Sequence, residues 1–132
     1  MYKYLLFLCL FPQICIAYQA EVVRVLDGDT IKLSVELWPG LTQAIDLRLD
    51  GVNTPEKRGS PDCEKAAAKK ATEFTEWFLE DQAVTVTDVR LGKYAGRALG
   101  KISVGGVDLG QALIETGHAR PYDGGHRAAW CE

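Results

Sequence analysis

The sequence has 132 residues, of which 47% are hydrophobic and 25% are charged, a composition typical of a single globular domain. Its formal net charge is −3. That balance argues against a nucleic-acid binder with a broadly basic surface and leaves room for a local basic patch at most. A chain of this length predicts a single domain.

The first 17 residues have the pattern of a secretory signal peptide. Lys3 precedes an apolar run over residues 4–11, and small residues lead up to Ala17. We expect cleavage after Ala17 and secretion to the periplasm or the outside of the cell. An uncleaved membrane anchor is the alternative, although Pro12 interrupts the run well before the roughly 20 residues that a spanning helix needs.

Cleavage would leave residues 18–132 as one exported domain, with no stable membrane association. It would remove one of the 15 basic residues and none of the 18 acidic ones, so that domain carries a net charge of −4. Nothing in the sequence indicates an oligomer, and a monomer is expected.

Two of the four cysteines leave with the signal peptide, and Cys63 and Cys131 remain. An even pair in an exported domain predicts a disulfide. In the chain-entropy description, closing such a loop stabilises the fold by about 4 kcal/mol. A zinc site that also uses His118 and His126 is the alternative, although their spacing fits no familiar Cys/His pattern.

The first half of the domain alternates apolar and polar residues, which predicts three strands in an antiparallel meander. Pairs of residues that favour turns separate the strands. The strands cover residues 22–26, 31–37 and 45–49, and the turns fall at Asp27-Gly28-Asp29 and Pro39-Gly40.

A helix is predicted next, with Ser60 as its N-cap and Pro61 as its first residue, ending near residue 80. Apolar residues recur there at helical spacing and predict a core-facing stripe. The stripe consists of Cys63, Ala67, Ala71, Phe74 and Phe78.

The rest of the chain predicts two further strands, over residues 84–89 and 98–104, and a short second helix. Asp108 and Gln111 form a candidate capping box for that helix, and Gly117 is a suitable C-terminal stop. The order of elements predicts a mostly β, α+β fold: a five-stranded OB-fold barrel with two or three helices.

Four short elements contain the residues that could bind a metal or take part in catalysis: LDGDT (26–30), Arg48, NTPE (53–56) and KYAGR (93–97). Asp29, Asn53 and the carbonyl of Thr54 offer the hard oxygen ligands that calcium favours. Arg48 and Arg97 can each donate two parallel hydrogen bonds to a phosphate. Glu56 can orient or deprotonate a water. Together these groups supply what attack on a phosphodiester requires.

Each of these residues also has an ordinary explanation when it is taken singly. Asp29 is a common turn residue, Glu56 a common loop charge, and Arg48 and Arg97 are common on exposed strand faces. Their joint order and spacing favour the site.

The whole pattern resembles the thermonuclease family, the staphylococcal nuclease-like domains, over about residues 22–122. The resemblance implies an OB barrel and calcium-dependent hydrolysis of DNA and RNA phosphodiesters that leaves 3′-phosphate ends. By position, Asp29, Asn53 and Thr54 resemble the metal site. Arg48, Glu56 and Arg97 resemble the catalytic set, and Lys93, Tyr94 and Tyr122 resemble substrate-contacting positions. The tail RPYDGG…WC resembles short exported bacterial members of the family.

Two departures from the family pattern modify these expectations. Asn53 stands where the family commonly has Asp, which predicts weaker calcium binding or a changed metal preference. KYAGR has one residue more than usual between Tyr94 and Arg97, which bears on the role of Tyr94.

The leading hypothesis is therefore an exported, metal-dependent nuclease. A non-catalytic OB-fold module with a degraded metal site, binding nucleic acid or another partner, is the second hypothesis. A structural or envelope-associated domain is the third, and it leaves the four elements unexplained.

Overall fold

The computed structural model describes residues 12–93 and 97–131, and a closed β-barrel forms its centre. Five strands make the barrel wall: β1 (Ala17–Asp27), β2 (Thr30–Trp38), β3 (Leu41–Leu49), β5 (Ala83–Leu91) and β6 (Arg97–Val104). β1 pairs antiparallel with β2 and β5, and β2 with β3. β5 pairs antiparallel with β6, and a parallel pairing of β3 with β6 closes the barrel. The predicted α+β OB-fold barrel is confirmed.

The barrel interior is filled by alternate residues of the strands, as the sequence pattern requires. Ile31, Leu33, Leu47 and Ile102 are fully buried. Side chains at the intervening positions lie outside the barrel, and this alternation puts Arg48 on the outer face of β3.

Helix α1 (Asp62–Leu79) packs on the barrel, mainly against β1. Its predicted start is wrong by one position: Pro61 is the N-cap and no side chain caps the helix. The Ser60 hydroxyl instead donates a hydrogen bond to the carbonyl oxygen of Glu56 at 2.6 Å. The hydroxyl predicted to cap the helix is therefore bound to the backbone of the preceding loop.

The buried stripe of α1 differs from the predicted one. Ala71 is common to both, but Cys63 is exposed, and Ala67, Phe74 and Phe78 are half-buried. The two threonines of the buried face find acceptors in the structure, because the Thr75 hydroxyl donates to the Gly28 carbonyl oxygen at 2.7 Å and Thr72 to Ala68. The stripe that faces the barrel is Ala68, Ala71, Thr72, Thr75 and Leu79.

Three short strands and a second helix complete the fold. They are β4 (Val52–Asn53), β7 (Val107–Asp108), α2 (Leu109–Glu115) and β8 (Arg120–Pro121). A Gly105-Gly106 turn joins β6 to β7, with positive φ at both residues, as a type I′ hairpin turn needs. β4 pairs with β8, which carries the C-terminal segment back to the end of β3.

The predicted cap of α2 is confirmed in part. Asp108 accepts a hydrogen bond from the backbone N–H of Gln111 at 2.7 Å. The side chain of Gln111 bonds Glu115 instead of reaching back, so the reciprocal half of the capping box does not form. Gly117 follows the helix at φ +77°, the stop that the sequence predicts.

The disulfide between Cys63 and Cys131 is present, and it spans 68 residues of sequence. The zinc alternative is therefore wrong, because both cysteines are consumed. His118 lies against Phe74 instead, with ring centroids 5.0 Å apart.

The signal-peptide prediction falls mostly on residues 1–11, outside the described part of the chain. Cleavage after Ala17 would leave β1 nearly whole, since the strand begins at that residue. Within the described residues, no helix combines the length and apolar character needed to cross a membrane.

Candidate active site

The site begins at the turn between β1 and β2, where Asp29 is almost buried, with 7% of its surface exposed. The backbone N–H of Leu49 donates to the Asp29 carbonyl oxygen at 2.8 Å, which fixes the turn against the end of β3. The Asp29 carboxylate accepts hydrogen bonds from the Thr30 hydroxyl at 3.1 Å and from the Thr54 backbone N–H at 3.1 Å. The turn and the NTPE loop are therefore joined by one carboxylate.

Arg48 reaches the same carboxylate from β3. Its Nη2 lies 3.4 Å from Asp29 Oδ2, and its Nη1 donates to the Leu49 carbonyl oxygen at 3.2 Å. Both side chains of this ion pair are mostly shielded from water, at 14% and 9% exposed. A pair in such surroundings is screened much less than a surface pair.

The metal-ligand candidates fit a calcium ion in their donor chemistry. Asn53 Oδ1 is buried and has no hydrogen-bond partner among the described residues, and a buried amide oxygen without a partner is costly unless something binds it. Thr54 follows at 2% exposed. Three donors occupy the Asp29 carboxylate, which has about four lone-pair sites, so it retains the capacity for a cation.

A set of three His, Cys, Asp or Glu side chains that could hold a metal does not occur within residues 12–93 and 97–131. A cation at this place would therefore depend on amide and backbone carbonyl oxygens besides Asp29. Such mixed oxygen sets suit calcium.

Asp27, on the other side of Gly28, belongs to the same site and was not singled out from the sequence. Burial is the main reason that its pKa is raised, and the negative charge of Asp29 raises it further. The cation of Lys57 opposes this effect. A cation bound beside Asp29 would offset this unfavourable effect on the ionisation of Asp27.

Gly28 sets how closely the turn approaches α1 and the NTPE loop. A Cβ at this position would lie 2.9 Å from the Ala71 Cβ and 3.0 Å from the Thr54 Cγ2. Contacts of that length are not tolerated between real side chains. A glycine is therefore required for Asp29 and Thr54 to meet.

Glu56 lies three residues beyond Asn53, at the start of a loop without regular structure. Its backbone N–H donates to Glu64 Oε1 at 3.1 Å, which ties the loop to the first turn of α1. Its carboxylate oxygen Oε1 accepts a hydrogen bond from Arg127. Arg127 and Glu56 are about half exposed, at 44% and 45%.

Tyr122 lies between two arginines. Its ring centroid is 5.5 Å from the Arg48 guanidinium and 5.4 Å from that of Arg127. Hydrogen bonding to Tyr122 is the main reason that the pKa of Arg127 is raised; burial opposes this and Glu56 adds to it. The predicted substrate-contacting residue Tyr122 therefore lies beside Arg48 and beside Arg127, the partner of Glu56.

The other three predicted site residues have no described contact with Asp29, Arg48 or Glu56. Arg97 pairs with Asp46 in the parallel ladder in which Arg48 pairs with Leu99, so both arginines lie on the outer face of the barrel. The Arg97 guanidinium forms no hydrogen bond or ion pair with the described residues. Lys93 is exposed near the start of β6. Tyr94 lies outside the described residues.

A pocket of about 240 Å³ separates the NTPE loop from the C-terminal segment. Its lining includes Asn53, Glu56, Arg127 and Trp130. A larger pocket of about 480 Å³, between β1 and the end of α1, is lined by four acidic residues and no basic one, which makes it unsuitable for a phosphate. The smaller pocket is the one that serves the site.

Sequence reasoning missed Arg127, 71 residues from Glu56 along the chain. Spacing carries no signal for so distant a contact. The predicted disulfide does, because bonding Cys131 to Cys63 brings the residues before Cys131 close to the NTPE loop before Cys63.

The barrel and this constellation define a class: an OB-fold protein with an oxygen-rich turn, arginines on one outer face and a carboxylate on an adjacent loop. Residues 46–129 match the family described as Staphylococcal nuclease homologue, which is well over half of the chain, and the protein belongs to that family. It is also 30% identical over 119 residues to a protein of Escherichia coli O157:H7 described as an uncharacterized endonuclease. That similarity covers 89% of this chain and 70% of the relative. A protein of Escherichia coli with the same description matches to the same extent.

Proposed function

We propose that the protein is an exported, calcium-dependent nuclease that hydrolyses phosphodiester bonds of DNA and RNA and leaves 3′-phosphate ends. One observation carries the proposal. Asp29, Arg48 and Thr54 are held together by direct hydrogen bonds, beside a buried Asn53 oxygen that accepts no hydrogen bond from the described residues. That combination suits a cation and a phosphate at adjacent positions.

The residues divide the work in a simple way. Asp29, Asn53 and the Thr54 carbonyl would hold calcium, which when bound neutralises charge on the phosphoryl oxygens. Arg48 and Arg97, on one outer face of the barrel, would bind the phosphate through their planar guanidinium groups. Glu56 would orient a water for attack at phosphorus or accept its proton. Tyr122, whose ring lies 5.5 Å from the Arg48 guanidinium, would contact the nucleotides together with Lys93 and Tyr94.

Export is supported by the leader pattern and by the disulfide. Disulfides persist in oxidising compartments such as the periplasm and the extracellular space. Mass spectrometry of the protein recovered after expression with its leader checks cleavage after Ala17. An intact leader in the recovered protein would contradict the proposed processing.

The test of activity is cleavage of end-labelled single-stranded DNA and RNA oligonucleotides of one sequence, in calcium and in a calcium chelator. We expect calcium-dependent cleavage that Glu56→Ala lowers by about 10²–10⁴-fold. Glu76→Ala, which removes an exposed carboxylate on α1, serves as the matched control and should cleave like the wild type. Mass analysis of the products identifies the 3′-phosphate.

Binding of the oligonucleotides without cleavage in calcium, magnesium, manganese or zinc would contradict the proposal. The protein would then be a non-catalytic OB-fold binding module, with Asn53 as the mark of a lost metal site.

A further inference from the structure

The C-terminal segment, residues 118–131, folds over the loop that holds Glu56 and contributes one cation to it. Arg127 donates from Nη1 to Glu56 Oε1. We propose that Arg127 is a positioning residue that fixes the Glu56 carboxylate for its work on water, an inference that rests on the proposed function. Neither the family pattern quoted above nor the predicted site includes this residue.

Arg127 is well placed for this task because its own position is fixed. Its guanidinium packs on the ring of Tyr122, 5.4 Å from the centroid. The Tyr122 hydroxyl donates to the Gly125 carbonyl oxygen at 3.0 Å, and its backbone N–H donates to the Gly51 carbonyl oxygen at 2.9 Å. The ring is thereby anchored to the end of the barrel and supports the arginine.

The segment beyond Arg127 is also anchored. Arg120 donates to the Ala129 carbonyl oxygen at 3.0 Å and lies 4.0 Å over the ring of Trp130. The disulfide then bonds Cys131 to Cys63, the residue before Glu64. Since Glu64 accepts the backbone N–H of Glu56, the covalent link and the Glu56 loop meet within one turn of α1.

The backbone of Glu56 is held by other residues, but its side chain would be mobile if Arg127 did not bind it. Glu64 and Ser60 hold its N–H and its carbonyl oxygen, at 3.1 and 2.6 Å. Its carboxylate, by contrast, is 45% exposed on a long side chain and would sample several rotamers. A charge-assisted hydrogen bond selects one of them. Misplacement of a reacting group by about 1 Å can lower a rate by 10²-fold.

The contact leaves the carboxylate able to act. Arg127 binds Oε1, and none of the described residues donates to Oε2. That oxygen therefore remains available to a water in the adjoining pocket, which is lined by both side chains. A contact that blocked the group would have to take both oxygens.

The test is a double-mutant cycle on kcat and KM with the oligonucleotide substrate. We expect Arg127→Ala to lower kcat about 10- to 100-fold and to change KM less than about twofold. Arg127→Lys should recover part of kcat, because it keeps the cation and loses the planar fork. In a Glu56→Gln background, Arg127→Ala should lower the residual kcat less than about twofold. Arg24→Ala, which removes an exposed arginine of β1 that does not line the pocket, is the matched control.

Three kinetic results would overturn the inference while leaving the nuclease intact. A raised KM with unchanged kcat would make Arg127 a phosphate contact. Faster cleavage by Arg127→Ala would make the segment an inhibitor. Equal loss of kcat in the wild-type and Glu56→Gln backgrounds would show that Arg127 does not act through Glu56.

A readout independent of cleavage separates this inference from the proposed function. The ¹⁵N side-chain resonance of Arg127 should move in Glu56→Gln and stay in place in Glu76→Ala. A wild type with that resonance pattern and no cleavage would overturn the proposed function, and the catalytic role of Arg127 with it. A cleaving wild type whose Arg127 resonance ignores Glu56→Gln would overturn the inference alone.

Discussion

The two halves of the candidate site are built on different principles. In the barrel half, Asp29, Arg48 and Thr54 are nearly buried and are joined by hydrogen bonds to the Asp29 carboxylate. In the tail half, Glu56 and Arg127 are half exposed, lie in irregular backbone and are held in place by a disulfide. In the barrel half, the side chains proposed for the chemistry also stabilise the fold. In the tail half, the disulfide supplies the stability and the side chains proposed for the chemistry contribute little to it.

The largest effect is expected from the covalent link of the tail half. Replacing Cys63 and Cys131 with serine should lower the free energy of unfolding by about 4 kcal/mol, because the unfolded chain gains the freedom of a long loop. Urea titration of the oxidised wild type and the double variant measures this loss. Reductant should destabilise the wild type and leave the double variant unchanged. A loss below about 1 kcal/mol would show that β8 and Arg120 suffice to hold the segment.

Arg48→Ala tests the contribution of the barrel half to stability. Removing the guanidinium leaves the buried Asp29 carboxylate without its cation, and we expect the free energy of unfolding to fall by about 2 kcal/mol in calcium-free buffer. Arg97→Ala is the matched control, on the same outer face but without a described partner, and should change stability by less than about 0.5 kcal/mol. Both variants should cleave poorly. Equal stability of the two would refute that contribution.

Asn53→Asp sharpens the account of the metal ligands. An added carboxylate charge should lower the calcium concentration for half-maximal activity about tenfold, since calcium affinity rises with ligand charge. Calcium titration by activity and by calorimetry checks the shift. A calcium dependence that does not move would mean that Asn53 Oδ1 takes no part in the site.

The smallest effect is expected from Arg127→Ala on stability. Its ion pair with Glu56 is about half exposed, and pairs of this kind contribute about 0–1 kcal/mol. Urea unfolding should therefore place the variant within about 1 kcal/mol of the wild type. A larger loss would mean that Arg127, like Arg48, contributes substantially to the stability of the fold, and the two halves of the site would not differ in this respect.

The sequence predicts the barrel well because alternation reports burial directly. Residues 31–37 have an apolar side chain at every second position, and three of these, Ile31, Leu33 and Val35, fill the interior from β2. The fourth, Leu37, is exposed near the end of the strand. The turn at Gly28 and the stop at Gly117 follow equally from residue type. Asp29, Arg48 and Thr54 come into contact because they lie at or beside the ends of neighbouring strands, and their role in a metal or catalytic site stays a prediction.

The helix face and the tail contacts escape such reasoning. The buried face of α1 includes Thr72 and Thr75, whose hydroxyls are satisfied by acceptors that only the folded structure supplies. The short strands β4 and β8 have two residues each and show no period. The contact between Arg127 and Glu56 joins residues 71 positions apart, and sequence spacing does not predict a contact over that distance. The local sequence pattern therefore predicts the strands of the barrel, whereas long-range contacts determine how α1 and the C-terminal segment pack on it.

The order of the site along the chain has a consequence for biosynthesis. Barrel strands and NTPE loop leave the ribosome first, and Arg127 and Cys131 leave after all other parts of the site. Domains can begin to fold during synthesis, but this site cannot be completed until its last contributors are released and oxidised. On the proposed function and the proposed role of Arg127, a newly made chain would be a weak hydrolase until its disulfide forms. The cell that makes it would thereby gain an interval in which its own nucleic acids are spared.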